Sequence, residues 1–166
     1  MRVSLAIIAP LLAAVAQASL VGYVTIGEAR PDLVALVVVS WSLAAGAAEG
    51  IWWAFTGGLA ADLVGGGPFG AVTLSLLPVA AVFGLRGERG REPRLVAAFG
   101  LLGLATAIHQ ALLGAVTLLA GRPVPELTTL VTVVAGAAGY TAVLAIAVYP
   151  LLRVLHRRTA QRPAFD

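Results

Sequence analysis

Cysteine is absent from the 166-residue sequence, which excludes disulfides, thiolate metal sites and a cysteine nucleophile and leaves the redox compartment unreadable. Lysine is missing as well: all eleven basic residues are arginine, so no Schiff-base chemistry and no phosphate-loop amine are available. Histidine occurs only at His109 and His156, which gives no His cluster for zinc and no H-E-x-x-H helix. The serines lack a G-x-S-x-G elbow. The glycines before Phe69 lack the G-K-[ST] ending of a phosphate loop. An intramembrane aspartyl pair needs two acids at depth, whereas Asp32 opens a helix and Asp166 ends the chain. These gaps argue against an enzyme, a bound metal or a cofactor.

Charge is scarce too, at 11% of residues, against 60% hydrophobic residues and a mean hydropathy of +0.96. That balance is far from a soluble domain and marks an integral membrane protein. Apolar runs cover about 3–26, 33–48, 50–64, 69–85, 95–120 and 127–152. They predict an all-α polytopic membrane protein of about six transmembrane helices, one bundle over 1–152 followed by a basic cytoplasmic tail over 153–166. The second and third runs are short: some 15 residues at about 1.5 Å each fall below the roughly 30 Å of a hydrocarbon core. A re-entrant hairpin is the alternative to two full spans.

The arginines set the sidedness. With six alternating spans, Arg2, Arg86, Arg89, Arg91, Arg94, Arg153, Arg157, Arg158 and Arg162 share one side, and Arg30 and Arg122 lie opposite. This asymmetry places both termini and the 86–94 loop in the cytoplasm. It also explains the net charge of +3 and pI near 10.2 without a nucleic-acid partner. Ala16-Gln17-Ala18 imitates a signal-peptide cleavage site, but the apolar run continues to Ile26, longer than a signal needs, and predicts a retained first helix.

Within the bundle, Gly50, Ala54 and Gly58 form a small-xxx-small stripe leading to Asp62, a candidate helix-packing or partner face. Pro10 and Pro78 fall inside helices 1 and 4, and Pro68 is placed in the first turn of helix 4. Trp52, Trp53 and Tyr149 are expected near the cytoplasmic boundary and Tyr23 near the outer one, as an aromatic belt. Trp41 lies deeper.

Asp62 carries most information, because a charged Asp at a helix centre costs roughly 2.5–3.5 kcal/mol on insertion scales and needs a partner, a cavity or a helix end. Three readings remain: a cap across the hairpin to the start of helix 4, a pair with Arg122 or Arg30, or a ligand or proton role. Glu49 starts helix 3, where an anion suits the dipole. His109 and Gln110 form a second polar pair at depth, explained by interhelical hydrogen bonds.

The order Pro31-Asp32 opening a short apolar helix, Gly50 through Gly57-Gly58, then Asp62, Gly66, Pro68 and Gly70 resembles the rod shape-determining MreD family. Specific residues carry it over 31–85; elsewhere it rests on size, helix count and basic ends. Gly65 departs from it, where many relatives have a serine. The resemblance implies a bacterial plasma-membrane protein of the elongation machinery with no activity of its own. It also implies an MreC-like bitopic partner and, through it, MreB, RodA and a class B penicillin-binding transpeptidase, with a fold similar to the substrate-binding subunits of energy-coupling-factor transporters. Asp62, Gly66, Pro68 and Gly70 then form a structural hairpin motif. The alternative is a vitamin-binding subunit of that transporter class, motivated by the Ala9–Ala13 spacing in helix 1.

Overall fold

The computed structural model describes residues 2–20, 30–88, 95–123 and 126–160. Tyr23, the end of the first predicted span at Ile26, Arg89, Arg91, Arg94, Pro125, Arg162 and Asp166 lie outside the described residues. Within them the chain is all helical, with α1 (Arg2–Leu20), α2 (Leu33–Ala45), α3 (Ala47–Val64), α4 (Ala71–Glu88), α5 (Leu95–Leu119) and α6 (Leu127–Ala160). Three of these, α4, α5 and α6, are long and apolar enough to cross a membrane, while α1 and α2 contain shorter apolar stretches.

The centre of the bundle is α2, which touches every other helix. It is apolar all round, the pattern of a helix with no free face. One stripe, Val34, Ala35, Val38 and Trp41, packs with Ala13 and Ala14 of α1 and with Trp53, Ala54 and Ala60 of α3. The opposite stripe, Leu36, Val39 and Leu43, packs with Leu102 and Ala105 of α5 and with Ala145 and Tyr149 of α6. Its 13 residues at about 1.5 Å each reach only about 20 Å, so both of its ends must be satisfied inside protein.

The break between α2 and α3 falls at Gly46, earlier than the apolar runs indicate. The cause is conformational: Gly46 has φ +99, a region open to glycine at little cost. Its N–H donates to the Ser42 carbonyl and its carbonyl accepts from Gly50 N–H, at 2.9 and 3.0 Å. One residue thus ends one helix and begins the next. The first turn of α3 is closed from a distance, by Glu88 Oε1 at the end of α4, which accepts from Ala47 N–H at 2.9 Å. At the far end of the chain, α6 continues past Leu152 to Ala160, with Arg157 and Arg158 in its last turn, where cations complement the helix dipole.

Two of the expected boundary aromatics turn inward. Trp53 and Tyr149 are 1% and 0% exposed, whereas Trp52 is 67% exposed and faces out. Adjacent residues lie about 100° apart around a helix, so Trp52 and Trp53 cannot share an environment. Trp53 stacks on Trp41, with centroids 4.2 Å apart and planes at 8°, and His156 of α6 meets Trp41 edge-on. Trp41 Nε1–H donates to Glu49 Oε2 at 3.0 Å, tying the first turn of α3 to α2.

Candidate functional site

The hairpin between α3 and α4 is built around a helix start that has no cap of its own. Gly65 ends α3 by donating to the Ala61 carbonyl at 2.7 Å. Pro68 lies ahead of α4 rather than in its first turn, and its carbonyl accepts from Ala71 N–H at 3.1 Å. Gly70, with φ +86, accepts from Leu74 N–H and so occupies the capping position without a side chain to use there. The first N–H groups of a helix have no intrahelical partner, and here a carboxylate from the previous helix meets them. Asp62 Oδ1 accepts from Val72 N–H at 2.9 Å, and Oδ2 accepts from Thr73 N–H at 3.1 Å and from Thr73 Oγ1–H at 2.6 Å. The anion also faces the positive end of the α4 dipole.

Neither arginine pairs with Asp62 among the described residues. Arg122 Nη1–H donates instead to the Gly66 carbonyl at 3.3 Å, fastening the loop after α5 to the hairpin. Between them lies a half-open cleft of about 540 Å³, bordered by Asp62, Gly65, Gly67, Leu113, Thr117 and Arg122 among others.

The small stripe on α3 is turned into the bundle. A Cβ at Gly50 would collide with the Ser42 side chain of α2, and one at Gly58 would stand 2.6 Å from Thr73 Cα, while Ala54 is fully buried. Backbones approach closely there because the residues are small. The approach at Gly58 also brings Thr73 within reach of Asp62, one turn further along α3.

A second buried carboxylate, which the sequence marks only as the start of a helix, joins more of the molecule. Asp32, 3% exposed, caps its own helix through Oδ1, which accepts from Ala35 N–H at 2.9 Å. Its Oδ2 accepts from Gln110 Nε2–H at 2.9 Å and lies 3.4 Å from His109 Nε2. Its backbone N–H donates to Thr141 Oγ1 of α6 at 3.3 Å, and Val34 N–H in the first turn of α2 donates to Gln17 Oε1 of α1 at 3.0 Å. Four helices therefore meet at the start of α2. The signal available in sequence was only that His109 and Gln110 are polar in the middle of an apolar run, which marks them as needing partners without naming Asp32.

Among the described residues, no three His, Asp or Glu side chains come together as a metal site. The polar groups at both carboxylates are arranged to satisfy helix ends and neighbouring side chains.

The family model for the rod shape-determining protein MreD matches residues 1–159. The chain belongs to that family. No curated protein and no solved structure matches it. MreD proteins are membrane proteins of rod-shape determination, not known as enzymes, and belong to the shape-determining system that includes MreC. The match extends well beyond the 31–85 segment whose residues carry the resemblance, and takes in the Asp32 partners on α5 and α6.

Proposed function

We propose that this chain is a non-enzymatic scaffold of the bacterial cell-elongation machinery, which docks the transmembrane helix of an MreC-like bitopic protein and supports lateral peptidoglycan synthesis. One observation carries the reading. Gln17, Asp32, Asp62, Thr73 and Gln110 are bonded to helix ends or to one another inside the bundle. With Thr141 of α6 on the Asp32 amide, this wiring ties α1, α2, α5 and α6 at one point and α3 to α4 at another, which suits a platform for other helices. On this reading MreB, RodA and a class B penicillin-binding transpeptidase are reached through the MreC-like partner. Both termini and the 86–94 loop face the cytoplasm of the plasma membrane, as the arginine asymmetry indicates. The helix layout is taken to be that of energy-coupling-factor substrate-binding subunits. Because the Gly50–Ala54–Gly58 stripe is covered by the chain itself, the docking face is assigned to outward apolar surface such as Ile7, Ile8 and Leu11 of α1 or Val143 and Ile146 of α6.

Co-purification tests the reading. Protein solubilised in mild detergent should retain an MreC-like partner, and deletion should change cell width or length. Loss of both effects refutes the scaffold. A second reading, a vitamin-binding transporter subunit, draws on the cleft beside Asp62, since the Ala9–Ala13 stripe that motivates it in sequence packs into the bundle core. No aromatic side chain lines that cleft to stack a flat ring. Saturable uptake of a small molecule would reverse the ranking.

A further inference from the structure

The docking reading leaves the cleft itself without a role. Its walls are mainly carbon, from Ala61, Pro68, Ala71, Val72, Leu113 and Pro123, and it opens where α3 and α5 end and α4 begins. Two opposite charges border it, and no ion pair joins them among the described residues. Asp62 Oδ2 takes two hydrogen bonds and Oδ1 only one, so Oδ1 keeps an acceptor position. Arg122 is exposed and uses Nη1 on the Gly66 carbonyl, whereas a guanidinium offers five N–H donors. A site with apolar walls, one acceptor anion and one donor cation, at the level where helices leave the bilayer, complements a molecule with hydrocarbon, an ammonium N–H and a phosphate.

We propose that this cleft binds a zwitterionic phospholipid headgroup, the phosphodiester on Arg122 and a primary ammonium on Asp62 Oδ1. The chemistry sets a selectivity. A quaternary choline has no N–H to donate to Asp62, and a glycerol headgroup has no cation to offset the carboxylate. Phosphatidylethanolamine is therefore preferred over both.

The test is a titration of the purified full-length protein with phosphatidylethanolamine, phosphatidylcholine and phosphatidylglycerol of identical acyl chains, read by native mass spectrometry. The ethanolamine lipid should be retained at roughly tenfold lower concentration, the factor expected for one charge-assisted hydrogen bond. Arg122→Gln removes the phosphate contact. Gly67→Leu fills the opening from a position where an added Cβ meets nothing within 4 Å. Arg122→Gln should weaken retention of all three lipids, since the phosphodiester is common to them, and Gly67→Leu should abolish the ethanolamine preference, both while leaving tryptophan-monitored melting in place, since both residues are exposed. Equal retention of the three lipids, a preference for phosphatidylglycerol, a preference that survives Gly67→Leu, or retention unchanged by Arg122→Gln overturns the proposal. So does competition by soluble glycerophosphoethanolamine at equal concentration, which would mark a site for a water-soluble ligand.

Discussion

Two aspartates, both almost wholly buried, are used in opposite ways. Asp62 works over short range: its partners Val72 and Thr73 lie ten and eleven residues away on the very next helix. Asp32 works over long range: its carboxylate meets Gln110 at a separation of 78 residues, and its backbone N–H donates to Thr141 at 109. The first fixes one hairpin, and the second fixes the α5–α6 pair to α2. Burial alone thus says little about what an intramembrane acid does. The sequence distance to its hydrogen-bond donors says which part of the fold depends on it.

The comparison breaks most sharply at Asp32. Asp32→Ala strands Ala35 N–H, Gln110 Nε2 and the His109 ring in the interior, and should cost about 3 kcal/mol, measured by detergent unfolding with tryptophan fluorescence. Amide exchange should rise along α5 as well as at the start of α2, and less along α6, because alanine keeps the backbone N–H that donates to Thr141. Asp62→Ala should cost less, about 2 kcal/mol, with faster exchange confined to the hairpin and the first turn of α4. Asp62→Asn keeps one acceptor oxygen and should cost about half as much. If both acids gave the same exchange footprint, the division between local and long-range wiring would be wrong.

Thr73→Val sharpens the same contrast at smaller amplitude. It removes the 2.6 Å bond to Asp62 and should cost about 1 kcal/mol. That cost should largely vanish in the Asp62→Ala background, because the pair acts as a unit. The smallest effect is a coupling close to zero: Asp32→Ala and Thr73→Val should add to within about 0.5 kcal/mol. A larger coupling would mean that the two carboxylates belong to one network.

Much of the architecture is legible in the sequence, because apolar runs and arginine loops both report the helices. The reach of Asp62 toward α4 is legible for a local reason: glycines on either side force a tight hairpin, and an acid in the last turn of α3 has the free amides of the next helix close by. The partners of Asp32 are not legible in that way. They depend on how α5 and α6 pack against α2, which no spacing in the chain encodes. The inward turn of Trp53 and Tyr149 is hidden for a related reason. An aromatic near a predicted helix end fits a lipid anchor or a core position equally well until the rotational setting of the helix is known. Gly46 lies between: its positive φ makes it the natural break between α2 and α3, but the small residues on both sides blur that signal.

With 34 residues at about 1.5 Å each, α6 is about 50 Å long, against a hydrocarbon layer of roughly 30 Å. It is longer than that layer is thick, and Arg157 and Arg158 stand in its last turn. His156, one residue before this pair, rests edge-on against Trp41 of the central helix. The last turns of α6 thus touch the tryptophan stack directly, so tryptophan emission is the natural reporter of anything that binds at that end of the protein.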